Sequence, residues 1–262
     1  MRNLLQRIVQ RRMERYGLST PQRPAPVPSG VFSDEGRGRA ENPFGAALAA
    51  RRGRAVIAEV KLGSPKLGSI AERVDPERQA ALYAASGAAA LSVVVEPDFF
   101  FGSWELLARC ARASGLPAVA KDFVVSERQL DEAAEAGAAA ILLIAALHEP
   151  DELAAWAAAA RSRGLAPLVE THDEADLGRL AGGEWELVGV NNRDLRTFEV
   201  DLERSCRMAA RLPAGALRVA ESGIASRGDV ERLAAAGFDA FLIGESLLLA
   251  DDPAAKLAEL LG

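Results

Sequence analysis

Lysine is almost missing from this chain. Of 262 residues only Lys61, Lys66, Lys121 and Lys256 are lysines, and arginine supplies the other 27 of the 31 cations. A chain that uses arginine wherever a surface cation suffices keeps a lysine where it needs a compact ammonium or a movable proton. Asparagine is equally scarce: Asn3, Asn42, Asn191 and Asn192. Two cysteines, Cys110 and Cys206, cannot build a disulfide framework. The two histidines, His148 and His172, do not stand at metal-ligand spacing, so no metal or redox cofactor is expected. There is no basic excess either. With 37 acidic residues the net charge is −6, which argues against nucleic acid and anionic membranes as partners. The longest apolar runs, such as 138–147, fall well short of the roughly 20 residues of a membrane helix. Residues 1–10 lack the apolar core and cleavage site of a secretory signal. The expectation is a cytoplasmic protein, and a hydrophobic fraction of 49% excludes disorder.

What is present is a rhythm. Residues 1–50 read as an extension: an amphipathic helix from Leu4 to about Gly17, a proline-rich loop, and a short helix with Asn42 as N-cap and Pro43 in its first turn. From residue 51 onward the chain reads as one domain. Eight short apolar runs, 56–60, 90–95, 118–120, 140–144, 166–169, 187–190, 217–220 and 240–243, alternate with helical segments. Many of those helices stop at a glycine: Gly87, Gly115, Gly137, Gly164 and Gly237. Continuous apolar strands alternating with helices suit a closed (β/α)8 TIM barrel. An open doubly wound sheet would carry a glycine-rich fingerprint after its first strand, and Lys61-Leu62-Gly63-Ser64-Pro65 is not one.

Catalysis in such a barrel sits at the carboxyl ends of the strands. In this chain those ends hold Glu59 and Lys61, Glu96, Lys121-Asp122-Phe123, Glu170 and His172, Asn191-Asn192-Arg193-Asp194, Glu221-Ser222-Gly223, and Gly244-Glu245-Ser246. Counting Lys66 in the loop after strand one, three of four lysines and two of four asparagines fall there, which implies an enzyme with an ion-paired pocket. The short turns at 221–224 and 243–246 enter helices after strands seven and eight, where backbone N–H groups bind phosphate; Ser64 and the loop near Gly68 can add to that cradle. His148 reads as structural or solvent-facing, His172 as shaping the pocket behind another residue, and the cysteines as partly buried spectators. One ring of Phe99-Phe100-Phe101 is expected at the pocket mouth. A ketone is protonated best by a donor fixed in a desolvated site, and a lysine with a lowered pKa suits that.

The segments Ile57-Ala58-Glu59-Val60-Lys61 with Ser64-Pro65, Phe100-x-Gly102-Ser103, Lys121-Asp122-Phe123, Glu170-x-His172, Gly189 through Leu195, Glu221-Ser222-Gly223-Ile224 and Gly244-Glu245-Ser246-Leu247 resemble, in order, the indole-3-glycerol-phosphate synthase family of tryptophan biosynthesis. The resemblance implies conversion of 1-(2-carboxyphenylamino)-1-deoxyribulose 5-phosphate to indole-3-glycerol phosphate by ring closure, decarboxylation and dehydration, without a cofactor. It implies Lys121 as the acid for ring closure and Glu170 as the acid/base for dehydration. Lys61 assists and pairs with the substrate carboxylate, Glu59 orients the two lysines, and Asn191 and Glu221 position polar groups. It further implies a phosphate cradle of Ser64, Ser222, Gly223, Gly244 and Glu245, and apolar walls of Phe100, Phe123, Leu142, Leu195 and Leu242. The extension resembles helices that cover one end of the barrel. A monomer or weak homodimer is expected, with a phosphorylated small molecule as the only other partner.

There are departures from the family pattern. The usual Ser-Pro-Ser-Lys-Gly loop reads Ser64-Pro65-Lys66-Leu67-Gly68, which bears on turnover and product release. The usual Leu-Thr-Glu reads Val94-Val95-Glu96, which removes a hydroxyl expected in the pocket floor. The loop motivates an alternative, a drifted paralogue acting on another phosphorylated sugar or indole compound. A non-enzymatic binding barrel is disfavoured by the paired acids and bases.

Overall fold

The computed structural model describes residues 4–25, 42–65, 68–194 and 199–262. Eight parallel strands close on themselves: β1 Ala55–Val60, β2 Ala90–Val94, β3 Ala118–Lys121, β4 Ala140–Ile144, β5 Ala166–Thr171, β6 Leu187–Asn191, β7 Leu217–Glu221 and β8 Ala240–Ile243. Each pairs with its neighbours in chain order, and β8 closes the ring on β1 through Ala55↔Ala240 and Ile57↔Leu242. Two helices precede the barrel, α1 Leu4–Arg15 and α2 Pro43–Ala49. The rest pack outside it: α3 Pro76–Ala85, α4 Trp104–Ser114, α5 Glu127–Glu135, α6 Pro150–Arg161, α7 Glu174–Gly178, α8 Glu203–Met208, α9 Arg227–Ala235, α10 Glu245–Leu248 and α11 Pro253–Leu261. The alternation read from the sequence is therefore the architecture, a TIM barrel.

Local chemistry sets the element ends. Asp75, Ser103, Ser126, Asp173, Ser226 and Asp252 accept N–H groups at the starts of α3, α4, α5, α7, α9 and α11. The five glycines expected to stop helices all have positive φ, between 66° and 100°.

Side chains alternate across each strand, which sorts the core into two shells. Ile57, Val119, Leu142, Leu168, Leu187, Val219 and Leu242 fill the barrel with α2's Phe44 and Leu48. Val56, Leu91, Val93, Ile141, Leu143, Val169, Val188 and Phe241 face the helices. Val95 belongs to this outer shell. The hydroxyl missing there is thus lost from the strand–helix layer, and the expectation that the pocket floor loses a hydrogen bond is corrected.

The two N-terminal helices go to opposite ends. Asn42 caps α2 and donates through Nδ2 to Ala139 O (2.9 Å) and Gly164 O (3.1 Å), at the amino ends of β4 and β5. Phe44 and Leu48 thereby plug the barrel from below. α1 lies instead beside the loops that follow β2 and β3. Arg15 forms a bidentate pair with Asp98 at 2.8 and 2.9 Å. Arg12, 3% exposed, pairs with the fully buried Asp122. Asp122 also accepts from Gln129 Nε2 (2.8 Å) and from Phe123 N (2.9 Å). Burial pushes the Asp122 carboxyl up, and Arg12 beside it resists that push.

Replacing Arg12 by Ala leaves Asp122 buried without its cation. Urea unfolding should show a loss of about 3 kcal/mol. Arg11→Ala, which removes only the exposed pair with Glu14, should leave the midpoint nearly unchanged. Equal effects of the two substitutions would contradict the assignment of α1 to this buried contact.

Candidate active site

The inward register that fills the barrel with Ile57, Val119, Leu168 and Val219 continues two residues on to Glu59, Lys121, Glu170 and Glu221. Four charges thus form the top layer of the barrel interior. Asn191 is in register with Glu221, and Glu170 with Ile144 and Gly189. Lys121 Nζ lies 2.9 Å from Glu221 Oε2 and 3.4 Å from Glu170 Oε2. Asn191 Nδ2 donates to the same Glu170 oxygen at 3.1 Å. Lys61 Nζ lies 2.7 Å from Glu59 Oε1. The three carboxylates are buried, while the two lysine side chains are part-exposed at the mouth.

The charges set one another's protonation. Burial pulls Lys121 down, but Glu221, Glu170 and Glu59 outweigh it and hold the ammonium well above the ordinary lysine range. The lysine of lowered pKa expected from the sequence is therefore corrected: three carboxylates face it. Burial also opposes ionisation of Glu170, yet Lys121 and His172 keep it well below the usual carboxylate range. Burial lifts Glu221 to about 7 against the pull of Lys121, and the charge of Glu170 adds to the lift. Two carboxylates sharing one ammonium divide in this way, one ionised and one ready to hold a proton. Glu59 stays below its ordinary value because Lys61 and Lys121 outweigh its burial.

Two glycines make room for this layer. A Cβ on Gly189 would stand 2.2 Å from Glu221 Oε1, and one on Gly244 would stand 2.3 Å from Glu59 Oε1. Gly189 is a site residue that the sequence reading passed over; its signal was a glycine interrupting an apolar strand.

The turn after β7 is bent by Ser222 (φ 67°) and Gly223 (φ 79°). Buried Asn192 holds it, donating to Glu221 O (3.1 Å) and Ser222 O (3.2 Å). Ser246 Oγ donates to Ile224 O (2.9 Å), and Arg193 Nη2 pairs with Glu245 Oε2 (2.5 Å), so the β6, β7 and β8 loops are tied together. Ser64 is part-buried in a two-residue antiparallel ladder opposite Gly68. Lys66 and Leu67 lie outside the described residues, as does Leu195.

Two loops bring a pair of aromatic rings together. Glu96 accepts the N–H groups of Asp98 (3.0 Å), Phe99 (2.7 Å) and Phe100 (3.0 Å). Phe100 then stacks on Phe123 with ring centroids 6.3 Å apart. Leu142 and Leu242 lie in the inner core. His148 is buried against Trp156, with burial lowering its imidazole to about 4. Cys110 is buried and Cys206 half-buried. Among the described residues no three histidine, cysteine or acidic side chains are grouped to hold a metal ion, and no helix is long and apolar enough to cross a membrane.

Gly189→Ala should push Glu221 off Lys121 and lower turnover by at least about tenfold, with thermal stability changed far less than by Arg12→Ala. A crystal structure of the variant with the Lys121–Glu221 contact intact and full activity would contradict this packing.

The model of the family described as indole-3-glycerol phosphate synthase matches residues 5–260. A protein of that name from Koribacter versatilis is 47% identical over 213 residues, spanning 81% of this chain and 82% of its own length. One from Albidiferax ferrireducens is 43% identical over 219 residues, spanning 81% and 83%. Among solved structures, a mutant tryptophan synthase alpha-subunit from Pyrococcus furiosus superimposes with a TM-score of 0.59 at 17% identity, covering 81% of this chain and 99% of that one. A thiamine phosphate pyrophosphorylase from the same organism gives 0.57 at 13%, covering 80% and 95%. Those two likenesses show the barrel fold alone, whereas the family match runs along nearly the whole sequence: the chain belongs to the indole-3-glycerol phosphate synthase family.

Proposed function

We propose that this chain converts 1-(2-carboxyphenylamino)-1-deoxyribulose 5-phosphate to indole-3-glycerol phosphate, with loss of carbon dioxide and water. The observation that carries the reading is Lys121, a charged donor held between Glu170 and Glu221 at the mouth of the barrel. Residues 51–262 form the catalytic domain in this reading, and 1–50 an extension packed on it.

Lys121 gives its proton to the ketone oxygen as the aromatic carbon bearing the carboxylate attacks the ketone carbon. The ketone becomes a hydroxyl and a five-membered ring closes. Carbon dioxide then leaves with its bonding electrons passed into the ring, and recovered aromaticity drives that step without an electron-sink cofactor. Dehydration follows: Lys61 helps the hydroxyl depart, and Glu170, kept ionised, takes the proton lost from the ring. Glu59 orients Lys61 directly and acts on Lys121 through its charge. Asn191 fixes Glu170, and Glu221 fixes Lys121. Ser64, Ser222, Gly223, Gly244 and Glu245 cradle the phosphate. Phe100, Phe123, Leu142 and Leu242 wall the aromatic ring. The same reading makes the protein cytoplasmic, a monomer or weak homodimer, with no nucleic acid or membrane partner. The net charge of −6 supports the exclusion of polyanions.

A second reading, a drifted paralogue on another phosphorylated sugar or indole compound, is motivated by Lys66-Leu67. Incubation of the purified protein with the carboxyphenylamino substrate in EDTA separates the two. Indole-3-glycerol phosphate fluorescence should appear, and Lys121→Ala should lower the rate by about 10²–10⁴-fold with an unchanged circular dichroism spectrum. Tight binding without turnover would favour the paralogue, and a near-normal Lys121→Ala rate would remove Lys121 from its role.

A further inference from the structure

We propose that His172 is a positioning residue for this reaction: clamped between Asp176 and Glu170, it serves as a permanent cation that keeps Glu170 ionised and turned toward Lys121 and Asn191. The inference rests on the reaction assigned above and deepens it.

Geometry carries the argument. Asp176, buried in the first turn of α7, accepts the His172 backbone N–H at 2.9 Å, and its Oδ2 lies 3.3 Å from His172 Nδ1. On the other side of the ring, Nε2 lies 3.2 Å from Glu170 Oε1. Both ring nitrogens therefore face carboxylate oxygens. A neutral imidazole carries one N–H, so its other nitrogen would turn a lone pair on a carboxylate; the doubly protonated ring meets both. Nε2 is fully buried and off the line of a hydrogen bond, so the Glu170 contact is one of charge.

The charged groups around this pair are Asp176 on α7, with Arg179 at 3.9 Å from it, and beyond Glu170 the side chains of Lys121 on β3 and Glu221 on β7. Burial works against the imidazolium, but Asp176 and Glu170 together raise His172 to about 10. A group raised in this way is charged throughout neutral pH.

The consequence concerns the division of labour between the two carboxylates beside Lys121. Among the described residues Glu221 pairs with Lys121 alone, whereas Glu170 has Lys121 and His172. When Lys121 surrenders its proton to the substrate, Glu221 loses its counter-charge and Glu170 does not. Glu170 therefore remains an ionised base for the later step.

The chain has only two histidines, which makes the test direct. Nitrogen-15 NMR of the imidazoles in the intact protein should show one ring doubly protonated through pH 8, and Glu170→Gln or Asp176→Asn should each lower its titration. In kinetics between pH 4.5 and 9, a range over which the unmodified protein keeps Glu170 ionised, His172→Gln should bring an acid limb of kcat/KM up into the range, with KM changed less than about threefold. His172→Lys, which restores the charge, should return the limb toward its original position. An imidazole titrating near the ordinary 6.5 overturns the proposal, as does a His172→Gln loss that is uniform across pH. Absence of turnover by the unmodified protein would overturn the assigned reaction instead, and the imidazole titration would still report on the clamp.

Discussion

One ammonium shared by two buried carboxylates is the constraint on which the rest of the upper barrel depends. Lys121 at 2.9 Å from Glu221 and 3.4 Å from Glu170 neutralises charges that burial would otherwise extinguish. Three neighbouring features fit around that arrangement. Gly189 leaves space for Glu221, Gly244 leaves space for Glu59, and Asn191 pins the Glu170 oxygen that faces the lysine. The barrel supplies the rest, because parallel strands in fixed register bring side chains far apart in sequence to one layer. The low-dielectric surroundings then make each charge matter more than it would in water.

A second layer of organisation runs from α1 to the pocket wall. Arg12 and Arg15, one helical turn apart, reach Asp122 and Asp98 in adjacent loops. Asp122 directly follows Lys121, and Asp98 belongs to the loop whose N–H groups Glu96 gathers. The stacked Phe100 and Phe123 come from those same two loops. Arg12 and Arg15 thereby hold the two loops that carry the stacked rings.

The strands, the helix stops and the gathering of charges at the strand ends were legible because each is local. Apolar runs, terminal glycines and polar residues at strand ends can be read without knowing what lies opposite. The rarity of lysine and asparagine was informative for the same reason. Protonation was not legible. The reading of Lys121 as a lysine of lowered pKa considered burial but not the three carboxylates converging from β1, β5 and β7. The face on which Val95 lies depended on strand phase near a strand end, where the pattern of alternation is weakest. The space beside Gly189 and the two-sided clamp on His172 arise only when separate strands are brought together.

The chemistry proposed for this site depends on Lys121 staying fully charged between its carboxylates. With four lysines in the chain, carbon-13 labelling at Cε allows each ammonium to be followed by NMR as pH rises. One signal, absent in Lys121→Ala, should remain that of an ammonium through pH 11 and should titrate at lower pH in Glu221→Gln. A Lys121 signal that titrates at or below the ordinary 10.5, indifferent to Glu221, would contradict the account.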